Sequence, residues 1–151
     1  MLVQEQINRG LDLLIELGDS IDSLNFGGCL YAAWGVHQVL RREGIDCEDV
    51  VIVQFDNGWT GVESNKAFIQ GENDTATSSS HFGVSFDGGE NVYDSNGHIP
   101  HKRFKEKLVI PYSITDKFCQ NSLKYGRWNS DFCREHDLSI LNSILGLQLE
   151  A

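Results

Sequence analysis

Apolar residues recur along the chain with two spacings, one typical of helices and one typical of strands. In residues 2–17 the spacing is helical and predicts a first helix, which the polar "GDS" at 18–20 ends. The stretch "GCLYAAWGVHQVLRRE", residues 28–43, predicts a second helix with Gly44 as its C-terminal stop. Because this second helix is apolar nearly all round, we expect it to be central and buried.

Short apolar runs between turn residues predict a small antiparallel sheet later in the chain. "VVIVQF" at 50–55 is typical of a strand. "HFGVSF" at 81–86 and "NVYD" at 91–94 flank "DGGE", which predicts a β-hairpin. "KLVIPYSI" at 107–114 predicts one more strand, and its proline favours a position at the sheet edge.

Two further segments complete the predicted architecture. Residues 57–80 are polar and rich in Gly, Ser and Thr, which predicts a long loop. Residues 131–149 have a helical apolar face. The order of helices, then a sheet, then a helix predicts a single α+β domain over 1–151. We expect the last helix, "LSILNSILGLQL", to pack in its own core, although its face also suits a protein partner or a homodimer.

Charge and cysteine usage narrow the class of partner and the compartment. The formal net charge is −10, from 22 acids and 12 bases, which argues against a nucleic-acid partner. The basic run "KRFKEK" at 102–107 is interrupted by Glu106, so it is typical of a solvated face. Without a long apolar run or a signal-peptide pattern, and with four cysteines lacking a CxxC pair, we expect a cytoplasmic protein with reduced thiols and no membrane association.

Cys29 is the strongest candidate for chemistry because it follows two glycines and opens the second helix. The free N–H groups and the positive dipole end of a helix favour a thiolate there. Gly27 and Gly28 leave room for a substrate or another strand to approach. The structural alternative is that Cys29 is a small buried core residue. His37 lies about 12 Å further along the same helix, too far to share a proton with the thiol.

The predicted hairpin supplies a base and an orienting group. With Gly-Gly at the centre of the turn, Val84 pairs with Tyr93 and His81 with Asn96. Asp94 then lies diagonal to His81 on the same face, within reach of its side chain. A carboxylate or amide there can orient the imidazole. The catalytic candidates are therefore Cys29, His81 and Asp94, with Asn96 as a secondary candidate.

The two faces of the strand at 81–86 differ in side-chain size. The residues on the His81 face are small, which leaves space for a packed helix end or a substrate. The large residues mark the opposite face for the core: Phe82, Val84 and Phe86.

"FGGCLYAAWGVHQVLRREGIDCEDVVIV" followed by "HFGVSFDGGENVYDSNG" resembles the papain-like cysteine superfamily in the broad sense. Within it, transglutaminase-like proteins and arylamine N-acetyltransferases are the most similar groups. The resemblance covers a catalytic-like core at about 25–97 and implies a buried helix carrying the nucleophile, packed on a small antiparallel sheet. It implies that Cys29 is the nucleophile, His81 the base and Asp94 the orienting group. The short chain suggests a minimal hydrolase-like core, compatible with a viral or mobile-element origin.

The predicted function is that of a cysteine-dependent hydrolase or acyltransferase acting on an amide or thioester. Peptidase, deamidase and transglutaminase-like activities, on a protein, a peptide or a small acyl substrate, share this triad and stay open. Asn25 is a candidate helper for oxyanion stabilisation. Trp59 and Phe68, in the loop before His81, are candidates for apolar contacts in a substrate cleft. No phosphate-binding glycine loop with lysine is present, and we expect no cofactor.

Two other functional classes compete with this prediction. A structural zinc site is the weaker one, with four candidate ligands: His98, His101, Cys133 and His136. The other is a non-catalytic protein-binding module on the same scaffold. Such a module would not need a reactive Cys29.

Overall fold

The computed structural model describes the chain apart from residues 1, 23, 26, 46–47, 59, 78–80, 126–131, 133–134 and 151. The described residues form five α-helices and a five-stranded antiparallel sheet, which confirms the predicted α+β class. The helices are α1 (Gln4–Ser20), α2 (Cys29–Arg42), α3 (Thr60–Ile69), α4 (Thr115–Tyr125) and α5 (His136–Leu145). The strands are β1 (Val51–Asp56), β2 (His81–Ser85), β3 (Val92–Asp94), β4 (Gly97–His98) and β5 (Glu106–Ile110).

The second predicted helix is the centre of the fold. Eleven of the 14 residues of α2 are buried, and the helix packs against α1, α4, α5 and the sheet. Its C-terminal stop is the predicted one, because Gly44 has a φ of +96° that suits glycine. Close packing requires small residues along α2: a Cβ on Gly35 would lie 2.5 Å from Leu145.

The sheet has the strand order β4-β3-β2-β1-β5, so the predicted edge position of the last long strand is confirmed. That strand ends at Ile110, immediately before Pro111, and a short 3-10 helix at Tyr112–Ile114 follows. One face of the sheet packs on the helices through the large residues of β2, Phe82 and Val84.

The opposite face of the sheet is covered, which corrects the expectation of open space beside His81. A second apolar cluster lies there, formed by Val51, Val53, Phe55, Val92 and Ile99, with Phe104 and Val109 packed against it. The small residue Gly83 lets neighbouring chain approach: a Cβ there would lie 2.7 Å from the Tyr93 carbonyl oxygen and 3.0 Å from Ile99 Cδ1. The space is filled by the chain itself.

Part of the predicted loop at 57–80 is the helix α3, at Thr60–Ile69, which corrects that expectation. The inner face of α3 carries Val62, Asn65 and Phe68, all buried. Asn65 is held by polar contacts, since its Nδ2 donates to Gln54 Oε1 at 2.7 Å and its Oδ1 accepts from the Thr77 N–H at 2.8 Å. Because polar Asn65 lies at the centre of this buried face, the apolar residues of α3 do not follow the spacing that predicts a helix.

The C-terminal part adds two helices to the face that carries α2. The sequence pattern did not indicate α4, which contacts α2 and contributes Phe118 and Cys119 to the core. The predicted last helix is present as α5, and Leu138, Leu141 and Leu145 bury its apolar face within the chain. No helix in the described parts of the chain is long and apolar enough to cross a membrane.

Gly83→Ala tests the close packing between β2 and its neighbours. We expect the substitution to lower the free energy of unfolding by about 1–3 kcal/mol, because the added methyl group meets backbone that cannot move aside. Urea unfolding followed by circular dichroism measures the change. Gln70→Ala, at an exposed position after α3, is the control and should change stability by less than about 0.5 kcal/mol. An unchanged urea midpoint for Gly83→Ala would contradict this packing.

Candidate active site

Cys29 is the first residue of α2, so its thiol lies at the helix end where backbone N–H groups lack helical partners. The residue is 7% exposed. The two glycines before it have local structural roles, one in the backbone conformation and one in close packing. Gly27 has a φ of +117°, and a Cβ on Gly28 would lie 2.5 Å from the Phe132 ring and 2.8 Å from the Leu24 carbonyl oxygen. At Gly28, contact with Phe132 and Leu24 replaces the expected approach of a substrate or strand.

His81 opens β2 and Asp94 ends β3, and their side chains meet across the hairpin. The predicted pairing of Val84 with Tyr93 is present, and it places Asp94 diagonal to His81. The distance between His81 Nε2 and Asp94 Oδ2 is 2.7 Å. Both side chains are largely buried, with exposed fractions of 15% and 12%. The short hydrogen bond fixes the plane of the imidazole.

The electrostatics of the site keep His81 protonated. Burial lowers the pKa of His81, but the hydrogen bond to Asp94 and the hydrogen bond and charge of Cys29 raise it more, to about 9. Burial raises the pKa of Asp94, and the hydrogen bond from His81 outweighs it, so that the pKa lies below its usual value. The imidazolium of His81 is therefore bonded to the Asp94 carboxylate and lies close to the Cys29 thiol.

Asn96 supports Asp94 through its backbone and not through its side chain. The chain turns after Asp94, and Asp94 pairs with Gly97 of β4. The prediction that Asn96 lies opposite His81 is therefore wrong. Its side chain is exposed, and its backbone N–H donates to Asp94 Oδ1 at 2.8 Å. Both carboxylate oxygens of Asp94 therefore have a hydrogen-bond partner.

Asn25 shares a narrow crevice with Cys29. The crevice has an empty volume of about 180 Å³, and Tyr93, Asp94 and Ser95 also line it. It is too narrow for a water molecule in this conformation. A substrate that enters from this side must displace some of these side chains. Asn25, the candidate oxyanion helper, therefore lines the same crevice as Cys29.

Phe104 is a site residue that the sequence did not reveal. Its ring stacks on the His81 imidazole with a centroid distance of 6.1 Å and an interplanar angle of 11°. It also stacks on Phe55, which pairs with His81 across β1 and β2, at 5.1 Å. The one available signal was a lone aromatic residue inside the basic run at 102–107. This stack covers one face of the imidazole, whereas the hydrogen bond to Asp94 lies in the plane of the ring.

Of the two residues predicted to line a substrate cleft, the structure describes only Phe68. Trp59 lies outside the described residues. Phe68 is 6% exposed and packs edge-on against Phe118 at 6.0 Å, so it is a residue of the main core. It does not line the crevice beside Cys29.

The alternative zinc ligands are not brought together in the described part of the chain. Cys133 and the side chain of His101 lie outside it. His98 is exposed near Asn91, and His136 begins α5 and is exposed. Among the residues described, no three His, Cys, Asp or Glu side chains are arranged to hold a metal ion.

His37 has a structural position within α2. It is 1% exposed, and its ring packs against Tyr112 with a centroid distance of 5.2 Å. Burial lowers the pKa of His37 to about 4, so the imidazole is neutral near pH 7. Its environment is the opposite of that of His81, which has a carboxylate partner.

No protein family, curated protein or solved structure matched the chain. The roles considered for Cys29, His81 and Asp94 therefore rest on geometry and electrostatics.

The pKa of His81 tests the coupling within the site. We expect a value near 9 in the wild type, because Asp94 and Cys29 favour the imidazolium more than burial disfavours it. Asp94→Asn should lower the pKa, since a neutral amide removes a charge and a strong acceptor. NMR titration of the imidazole carbon-bound protons measures both values. A wild-type value for His81 near 6.5 would contradict the arrangement.

Proposed function

We propose that this protein is a cysteine-dependent hydrolase or acyltransferase that acts on an amide or thioester through Cys29, His81 and Asp94. The observation that carries the proposal is a largely buried imidazole that is bonded to a carboxylate at 2.7 Å and lies close to a thiol at a helix N-terminus. A nucleophile, a base and an orienting group in this order form the arrangement that nucleophilic catalysis requires.

We further propose that the architecture is a papain-like or transglutaminase-like core. Support comes from the buried helix α2, which begins at the cysteine, and from the antiparallel strands that carry the histidine and the aspartate. The three residues come from different elements, α2, β2 and β3, which pack directly on one another. Such an arrangement holds the groups on rigid elements, as precise catalysis requires.

In the acylation step, the Cys29 sulfur attacks the carbonyl carbon of the substrate. A sulfur–carbon bond forms, and the carbonyl oxygen takes negative charge in the tetrahedral intermediate. The backbone N–H groups of the first turn of α2 and the Asn25 side chain are the available donors for that oxyanion. When the intermediate collapses, the bond to the leaving nitrogen or sulfur breaks, and His81 gives its proton to the leaving group.

In the deacylation step, His81 is neutral and can act as a base. It takes a proton from water, whose oxygen attacks the thioester carbon, or from an amine in a transfer reaction. The carbon–sulfur bond then breaks, the acid or amide product leaves, and the thiolate is restored beside the imidazolium. Asp94 stays ionised throughout and holds the ring in place, because its lowered pKa keeps it charged at neutral pH.

Alkylation of Cys29 with iodoacetamide tests the proposed nucleophile without knowledge of the substrate. We expect one thiol to be labelled fast between pH 5 and 7, because the neighbouring imidazolium favours the thiolate. His81→Ala should slow this labelling at least about tenfold, which corresponds to a lost interaction of about 1.4 kcal/mol. Intact-mass spectrometry gives the rate, and peptide mapping locates the label among the four cysteines.

Two controls separate reactivity from simple exposure. Cys29→Ala should abolish the fast phase, whereas Cys119→Ala should leave it unchanged, because Cys119 is fully buried and burial raises the pKa of its thiol well above the usual value. Slow labelling of native Cys29 that does not respond to His81→Ala would contradict the proposal. That outcome would favour a non-catalytic binding module on the same scaffold.

A further inference from the structure

Basic residues beside the proposed site lack acidic partners. Four of the 12 bases lie within residues 102–107, in a chain that carries 22 acids. Lys102, Arg103 and Lys105 are exposed and form no ion pair with any residue that the structure describes. Elsewhere, Arg9 pairs with Glu43 at 2.9 Å and Arg41 with Asp116 at 2.8 Å. Three exposed cations without an acidic partner among the described residues thus lie together in the segment that carries Phe104.

Arg103 has the most defined position of these cations. Its guanidinium carbon lies 5.6 Å from the centroid of the Phe104 ring. Phe104 in turn stacks on the His81 imidazole, so the guanidinium and the proposed base contact the same aromatic ring. The charge of Arg103 also reaches Asp94 and contributes to the lowering of its pKa. Arg103 therefore lies at the edge of the triad.

Asp94 does not occupy the hydrogen-bond donors of Arg103. Its Oδ2 is bonded to His81 and its Oδ1 accepts from the backbone N–H of Asn96. The planar guanidinium keeps a free fork of N–H donors that matches the two oxygens of a carboxylate. Stacking on Phe104 orders the side chain and so reduces the entropy that binding would cost.

We infer that Arg103 binds a carboxylate of the substrate, so that the preferred acyl donor carries a negative charge close to the carbonyl that Cys29 attacks. This inference rests on the proposed function and specifies the substrate class for it. Arg103 acts as a specificity-determining residue. Lys102 and Lys105 add positive potential on the same side, which attracts an anionic substrate to an otherwise acidic protein.

Two alkylating reagents of nearly equal size test this inference. Iodoacetate carries a carboxylate and iodoacetamide is neutral, so the ratio of their rate constants at Cys29 reports attraction of an anion. At low ionic strength, we expect Arg103→Gln to lower this ratio about threefold to fivefold, as expected for a partly exposed ion pair. Arg103→Lys should keep the charge but lose the paired donors, and its ratio should lie between those of the wild type and Arg103→Gln.

Arg9→Gln is the matched control, because it removes one positive charge from an exposed position. Arg9 pairs with Glu43, at the end of α2 opposite to Cys29 and about 20 Å along the helix. The ratio of the iodoacetate and iodoacetamide rate constants in Arg9→Gln should equal that of the wild type. An unchanged ratio in Arg103→Gln, or an equal fall in Arg9→Gln, would overturn the inference.

The same measurements separate this inference from the proposed function. If Cys29 reacts fast with iodoacetamide but the ratio does not depend on Arg103, only the role of Arg103 is wrong. If neither reagent labels Cys29 fast, the proposed nucleophile and the inference both fail.

Discussion

Burial of α2 is the constraint on which the rest of the structure depends. The helix packs on three other helices and on the sheet, and its small residues allow close contact with each neighbour. Because Cys29 is its first residue, the packing that stabilises the core also fixes the sulfur relative to β2 and β3. Gly28 allows Phe132 to pack over the helix start, where Cys29 is 7% exposed. Stability and the geometry of the site share one set of contacts.

The second requirement is to keep a charged imidazole in a largely buried place. Burial alone would make His81 neutral, as it does His37, whose pKa falls to about 4. Asp94 reverses that effect for His81, and the backbone N–H of Asn96 in turn stabilises the carboxylate. These two histidines thus have opposite charge states at neutral pH because His81 is hydrogen-bonded to a carboxylate and His37 is not.

The parts of the structure that local sequence signals determine could be predicted. The apolar surface of α2, the stop at Gly44 and the register of the hairpin each depend on neighbouring residues, and the contact between His81 and Asp94 follows from that register. The helix α3 was missed because buried Asn65 interrupts its apolar face.

Features that depend on distant parts of the chain could not be predicted. Phe104 meets His81 only because β5 and the segment before it return to the sheet, and no local pattern indicates that contact. Likewise, the covered face beside His81 results from Ile99, which follows two further strands. The most direct test of the central claim is to trap the acyl intermediate by mixing the protein with an activated acetyl thioester and measuring its intact mass. We predict one acetyl group on Cys29 that is absent in Cys29→Ala and forms more slowly in His81→Ala. Acetylation of lysines alone, at equal rates in all three proteins, would contradict the account.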